Sequence, residues 1–271
     1  MLAASVCWSF AGLFLTYVPW DAMTVTGMRS LFAALVFVIY RRSVKIKFTK
    51  GNLVTGVSLS LTTTLFVFAN KLTTSAAAIL LQFTAPIFII LIQLVFYKVK
   101  PRPREMTAVT LTICGMLLFF ADQLDGGSVL GNILAIASGL TFACVFVCNK
   151  REDTVPEQAL FLGFIINIIV GIPFAAASLT PDPVAWGAIA FLGVIQVGMA
   201  YIFFSIGIKR TPALLGCLIT ALEPILNPTW VAIFTGLAPG PFALAGGAVI
   251  ICTVVGYNIM TQLRPSKTAG V

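Results

Sequence analysis

A carboxylate and a guanidinium fall inside stretches of this chain that are otherwise built for lipid. Glu223 interrupts the apolar run Ala213–Ile233, and Pro224 follows it directly. A carboxylate at that depth costs at least about 2.5–3.5 kcal/mol unless it faces a cavity or a partner. The adjacent proline frees a backbone carbonyl in the same span. Glu223 is therefore a candidate for holding a substrate amine or exchanging a coupling proton, and the plainer alternative is a carboxyl hydrogen-bonded to a neighbouring helix. Arg29 lies about two turns into the second apolar stretch. It can hold a substrate carboxylate bidentately, pair with Glu223, or snorkel to the interface. One cation and one anion in a single cavity would suit a zwitterion.

Other polar groups cluster near prolines. Gln82 and Thr84 sit within a turn of Pro86, and Thr220 and Asn227 flank Pro224. If Pro86 and Pro224 act as helix breaks, these side chains and the freed carbonyls would line a site. Interhelical hydrogen bonding is the bland alternative, and it is the favoured reading for Asn70, Asn167 and Gln196. Trp8 and Tyr201 lead the aromatic candidates for lining a cavity, ahead of Phe204 and Trp230. Lys71, a basic residue expected at the outer surface, is a gate candidate.

These residues must be positioned by membrane-spanning helices. The chain is 59% hydrophobic and 10% charged, whereas a soluble domain is about a quarter charged. Ten apolar windows can be drawn, each near the length a bilayer requires: Leu2–Val18, Ala22–Tyr40, Leu53–Asn70, Ser75–Tyr97, Met106–Ala121, Val129–Cys148, Ala159–Leu179, Val184–Ile208, Ala213–Thr235 and Pro241–Met260. The net charge of +8 does not form a nucleic-acid patch. It sorts by loop: Arg41, Arg42, Lys45, Lys47 and Lys50, then Lys98, Lys100, Arg102 and Arg104, then Lys150 and Arg151, Lys209 and Arg210, and finally Arg264 and Lys267. The opposite loops carry Asp21, Asp122, Asp125 and Asp182. This bias places both termini in the cytoplasm, which requires an even number of spans. The expectation is an integral protein of the plasma membrane, the inner membrane in a bacterium.

The same composition excludes several chemistries. There is no histidine, and the six cysteines all fall inside apolar windows without zinc spacing. No metal, no cofactor and no enzymatic activity are expected. The expected partners are a small-molecule substrate, the bilayer and protons as candidate coupling ion, with no nucleic acid, in a monomer or homodimer.

Shifting the chain by 138 residues overlays Phe66 on Phe204, Lys71 on Lys209, Thr73 on Thr211, Leu80 on Leu218 and Pro86 on Pro224. Each half then holds five helices, residues 1–125 and 126–271. An odd number inserts the second half upside down relative to the first. Inverted repeats with interrupted helices at matching positions point to a transporter with its site near the midplane.

The residues that carry this pattern resemble a known family. Phe68-Ala69-Asn70-Lys71-Leu72-Thr73 and Ile206-Gly207-Ile208-Lys209-Arg210-Thr211 resemble the helix 3–4 turn of EamA-type carriers, members of the drug/metabolite transporter (DMT) superfamily. Leu222-Glu223-Pro224-Ile225 is similar to that family's second-half L-E-P-V, Trp8 to its first-helix tryptophan, and Met28-Arg29-Ser30 to its L-R-F. Gly131-Asn132 through Lys150-Arg151 resembles its sixth helix. The chain departs from the family at Val99 and Leu237, where a glutamate is common. The resemblance implies an all-α polytopic fold of ten helices in two inverted repeats. It also implies a small-metabolite carrier, usually an exporter, of amino acids or similar solutes. A uniporter or channel-like facilitator, and an exporter of drugs or lipid-linked headgroups, are the alternatives.

Overall fold

The structure is a computed structural model of the 271-residue chain, described over residues 1–121, 128–226, 230 and 240–263. Ten apolar helices account for the described fold: α1 (Leu2–Leu15), α2 (Ala22–Arg41), α3 (Lys50–Leu72), α4 (Ser75–Gln82 continuing as Ala85–Phe96), α5 (Pro103–Phe119), α6 (Val129–Cys148), α7 (Pro156–Ser178), α8 (Pro183–Ile208), α9 (Ala213–Leu226) and α10 (Pro241–Leu263). A 20-residue helix rises about 30 Å, the thickness of a bilayer core. The chain is an integral, polytopic, all-helical membrane protein. Contacts of Lys47 with Gln158, Gly51 with Asp153 and Lys209 with Glu157 gather Arg41, Lys50, Lys150 and Lys209 at one end, called the basic end below.

Local sequence explains most boundaries. Asp21 caps α2 by accepting from the amides of Met23 and Thr24. Thr49, Thr74 and Ser128 do the same for α3, α4 and α6, each satisfying a donor that the first turn leaves orphaned. Prolines open α5, α7 and α8, where the missing N–H costs nothing.

Four helices are irregular at midspan. α1 breaks between Trp8 and Ala11, α4 between Gln82 and Ala85, and α9 turns at Ala221–Leu222. α8 widens into a π-helix over Leu192–Met199. The breaks in α4 and α9 precede Pro86 and Pro224, so each proline stands in the first turn of a new segment rather than inside a continuous helix. The amides just before them switch to three-residue bonds: Thr84 donates to Leu81, Ala221 to Leu218 and Leu222 to Ile219.

The remaining inner helices form a tied frame. α2 packs on α7, α3 packs on α6 and α7, and α5 packs on α10. At the basic end the ties are reciprocal. The Asp153 carboxylate accepts from the Gly51 amide in the first turn of α3 at 2.9 Å. The Asn52 side chain accepts from the Val155 amide just before α7 at 2.8 Å. At the other end the Trp20 indole donates to Thr180 and the Asp21 amide to the Ser178 hydroxyl.

Candidate functional site

The four irregular helices and the frame line a midspan cavity of about 50 Å³ that is open at its mouth. Trp8 comes from α1, Arg29 from α2, Thr62, Thr63 and Phe66 from α3, Gln82 from α4, Phe142 from α6, Gln196, Val197 and Tyr201 from α8, and Glu223 from α9. Most of them lie near the middle of their helices.

Arg29 is 3% exposed, so it does not snorkel to the interface. Its Nε is buried with no hydrogen-bond partner. The π-turn brings α8 against it: a side-chain carbon at Gly193 would stand 2.7 Å from the Arg29 carbonyl oxygen, so only glycine permits this approach. Glu223 lies just past the α9 turn, part-buried. Among the described residues it forms neither a hydrogen bond nor an ion pair, with Arg29 or with any other group; the two ion pairs that do occur are at the basic end. Tyr201 lines the same cavity as both charges. A third orphan is Oε1 of Gln196, buried and unpartnered. Native proteins leave few buried polar groups unsatisfied. Here a guanidinium nitrogen and an amide carbonyl are left so, beside a part-buried carboxylate that has no partner among the described residues.

Gln82 is positioned more firmly. Its Nε2 donates to the Ser138 hydroxyl at 2.7 Å, and Ser138 donates to the Thr62 carbonyl at 3.0 Å. The carbonyl of Gln82, which Pro86 leaves without its helical donor, faces Gly139, where an added Cβ would come within 2.7 Å of it. Thr63 is oriented through Asn167, whose amide nitrogen donates to the hydroxyls of Thr63 and Ser30 at 2.8 and 3.1 Å. Asn167 also accepts from Ser60 at 2.6 Å.

Toward the basic end the cavity has an aromatic floor. The Trp8 ring meets Tyr201 at 5.0 Å, Phe204 at 5.8 Å and Phe142 at 6.2 Å. Phe146 closes the layer against Phe142 and Phe204 at 4.9 and 5.2 Å. Edge-on pairs of this kind add to the stability of simple burial. Toward the opposite end, a second space of about 830 Å³ is lined by Gly12, Val25, Val67, Asn70 and Lys71 among others. Gly12, Val25 and Val67 are each one helical turn from Trp8, Arg29 and Thr63, so the two spaces stack along α1, α2 and α3.

Glu223, Arg29, Gln82, Trp8 and Tyr201 thus share one cavity. Thr220 does not line it: the residue is fully buried and its hydroxyl donates to the Cys217 carbonyl. Thr84 likewise bonds its own helix, at the Leu81 carbonyl. Lys71 lies in the second space, with Nζ donating to the Trp20 carbonyl at 2.7 Å. Trp230 bonds Ser9 and stacks on Phe10, beside the α1 break. Asn227, Leu237, Asp122, Asp125, Arg264 and Lys267 fall outside the described residues. Sequence reasoning missed Thr62, Thr63, Phe66, Phe142 and Val197, and it favoured structural bonds for Gln196. The hydroxyl run at Thr62 and Thr63 inside an apolar span was the available signal. Nothing in the sequence distinguishes Phe142 from the other phenylalanines or marks the π-turn.

Comparison with known proteins agrees with this architecture. The model of the EamA-like transporter family matches residues 1–121 and 129–259. An uncharacterized transporter of Archaeoglobus fulgidus is 24% identical, the match covering 94% of this chain and 93% of that protein. The biotin transporter of Escherichia coli K12 is 25% identical over 92% of this chain and 88% of its own length. A crystal structure superposes with a TM-score of 0.78 over 97% of this chain and 96% of the other at 20% identity, which establishes a shared fold.

Proposed function

This chain belongs to the EamA-like transporter family, and we propose that it is a secondary exporter of small zwitterionic metabolites, amino acids foremost. The observation that carries this reading is the presence, in one midspan cavity, of an Arg29 guanidinium and a Glu223 carboxylate that no described protein group neutralises. A buried charge without a partner is costly. A solute bearing a carboxylate and an ammonium group offsets both costs at once, with Gln82 and Gln196 fixing its orientation and Trp8, Tyr201 and Phe142 covering its apolar part.

Alternating access follows from the same layout. Residues 1–125 and 126–271 are read as inverted five-helix repeats, supported by breaks in α4 and α9 that lie 138 positions apart, at Phe83–Thr84 and Ala221–Leu222. The tied helices α2, α3, α6 and α7 serve as frame. The interrupted helices α1, α4, α8 and α9 move against it, and the aromatic floor closes the path to the basic, cytoplasmic end. Protons couple through Glu223, and the protein resides in the plasma membrane with both termini inside. A second reading is favoured by the relative named a biotin transporter: a solute with one carboxylate for Arg29 and an uncharged hydrogen-bonding ring for Gln82, Gln196 and a protonated Glu223.

Counterflow in proteoliposomes tests both. Labelled amino acids and labelled biotin are offered outside, with unlabelled compound inside. Acceleration by internal compound identifies a carrier and its solute. Arg29→Gln is expected to abolish counterflow of the carboxylate solute, and Glu223→Gln to weaken counterflow of a zwitterion and to remove the response to a proton gradient. Full gradient-driven flux in Glu223→Gln would sink the coupling role, and silence toward every probe from folded protein would sink the zwitterion and biotin readings together.

A further inference from the structure

We propose that the α2–α3 loop at the basic end builds a binding site for the phosphodiester headgroup of an anionic phospholipid in the adjoining leaflet. A surface recess there, about 1330 Å³ of open space, is lined by Tyr40, Arg41, Ser43, Lys45, Lys47 and Gln158 among others. The cations are held on a fixed backbone. Arg42 closes α2 in a left-handed conformation, φ 51°, its amide returning to the Val38 carbonyl. The Lys47 amide donates to the Gln158 side chain at 2.7 Å, and the Asn52 amide group donates to the Lys47 carbonyl at 2.7 Å.

Arg41 is the anchor. Its Nη2 donates to the Lys45 carbonyl at 2.5 Å, and the guanidinium lies over the Phe161 ring at 5.2 Å. Its Nη1 is buried and has no hydrogen-bond partner. The Glu157 carboxylate also lines the recess and faces Arg41, but it is already held by Lys209 at 2.6 Å. Among the described residues, neither Lys45 nor Lys47 has an acidic partner. Among the described residues, the recess is left with one guanidinium nitrogen and two ammonium groups that form no ion pair with a carboxylate.

Exposed apolar side chains distinguish a lipid from a soluble anion. Val44 and Phe48 are 65% and 73% exposed on either side of the two lysines, and Leu35 and Ile39 continue the apolar strip down α2 at 53% and 76%. Twenty residues of α2 carry the chain across the bilayer core, so this loop lies at headgroup depth. Val44 and Phe48 then enter the acyl boundary while Arg41, Lys45 and Lys47 meet the phosphate. Basic recesses at the cytoplasmic ends of spanning helices hold anionic headgroups by this division of labour.

The test uses the full-length protein in detergent, with bound lipid counted by native mass spectrometry during titration with phosphatidylglycerol or phosphatidylcholine. Phosphatidylglycerol is expected to bind and phosphatidylcholine not. The double variant Lys45→Gln/Lys47→Gln is expected to weaken phosphatidylglycerol about 25-fold, roughly fivefold for each charge. Phe48→Ser should weaken it further, and millimolar inorganic phosphate should not displace it. The double variant Lys98→Gln/Lys100→Gln, on a different loop at the same end, should leave binding unchanged. Equal binding of both lipids, an equal loss in the two double variants, or displacement by inorganic phosphate would each overturn the proposal. The first two outcomes would mean no defined headgroup site, and the third a site for soluble anions.

Discussion

Replacing Gly139 with alanine puts one methyl group against the break in α4 and tests the idea that α6 sets the position of Gln82. The new carbon would stand 2.7 Å from the Gln82 carbonyl oxygen and 3.0 Å from the Thr84 hydroxyl. An ordinary carbon–oxygen contact is about 3.3–3.6 Å, so α4 would have to retreat by roughly 0.6 Å or more. The contact is backbone in a turn fixed by Pro86, with no flexible side chain to swing aside. Overpacking of this kind costs about 1–3 kcal/mol. Alanine also returns up to about 1 kcal/mol of helix propensity, which a paired control removes. Gly256 in α10 and Gly187 in α8 have nothing within 4 Å of the added carbon, so their alanine variants report propensity alone. Thermal or denaturant unfolding in detergent, followed by tryptophan fluorescence, should place Gly139→Ala below Gly256→Ala by about 1–3 kcal/mol. Counterflow should weaken in Gly139→Ala, because the retreat stretches the Gln82–Ser138 bond. A Gly139→Ala protein as stable as Gly256→Ala would refute the claim that α6 and the α4 break are in contact at this point.

Two further expectations follow from hydrogen bonds that join helices. Asn167→Ala removes the residue that gathers Ser30, Ser60 and Thr63 at one buried point; stability should fall by about 1–3 kcal/mol, and solute affinity should drop although Asn167 does not line the cavity, which unfolding and counterflow measured on one preparation would check. At the basic end, the hydrogen bond from Arg151 holds the Asp153 carboxyl below its ordinary pKa, with the Gly51 amide acting in the same direction. A carboxyl whose folded pKa is depressed stabilises the fold above its unfolded pKa and loses that contribution as pH falls through the folded value. Hydrogen exchange at the Gly51 amide should therefore quicken as pH drops below about 4, after correction for intrinsic rates, and Asp153→Asn should flatten that response; an unchanged profile in the variant would show that the α3 end is held by other groups.

The sequence by itself determined the membrane class, the ten apolar segments, the alternation of basic loops and the presence of two charges at midspan. These are properties of composition and order, and each carries its cost or benefit locally: a charge in an apolar stretch is expensive wherever its neighbours fall. The breaks at Pro86 and Pro224 were legible for the same reason, because proline cannot donate. Their placement was not, since the turn forms before the proline and leaves it in the first turn of the next segment. Only tertiary structure decided that Arg29 and Glu223 share a cavity without pairing, that Thr220 turns back to its own helix, and that Phe142, Thr62 and Thr63 join the lining. Which side of a helix faces a cavity depends on where six other helices lie, and in a chain this apolar a stripe facing lipid and a stripe facing the bundle have nearly the same composition. The π-turn around Gln196 has the same origin: it goes with the close approach of Gly193 to Arg29, two residues 164 positions apart, which no local pattern announces.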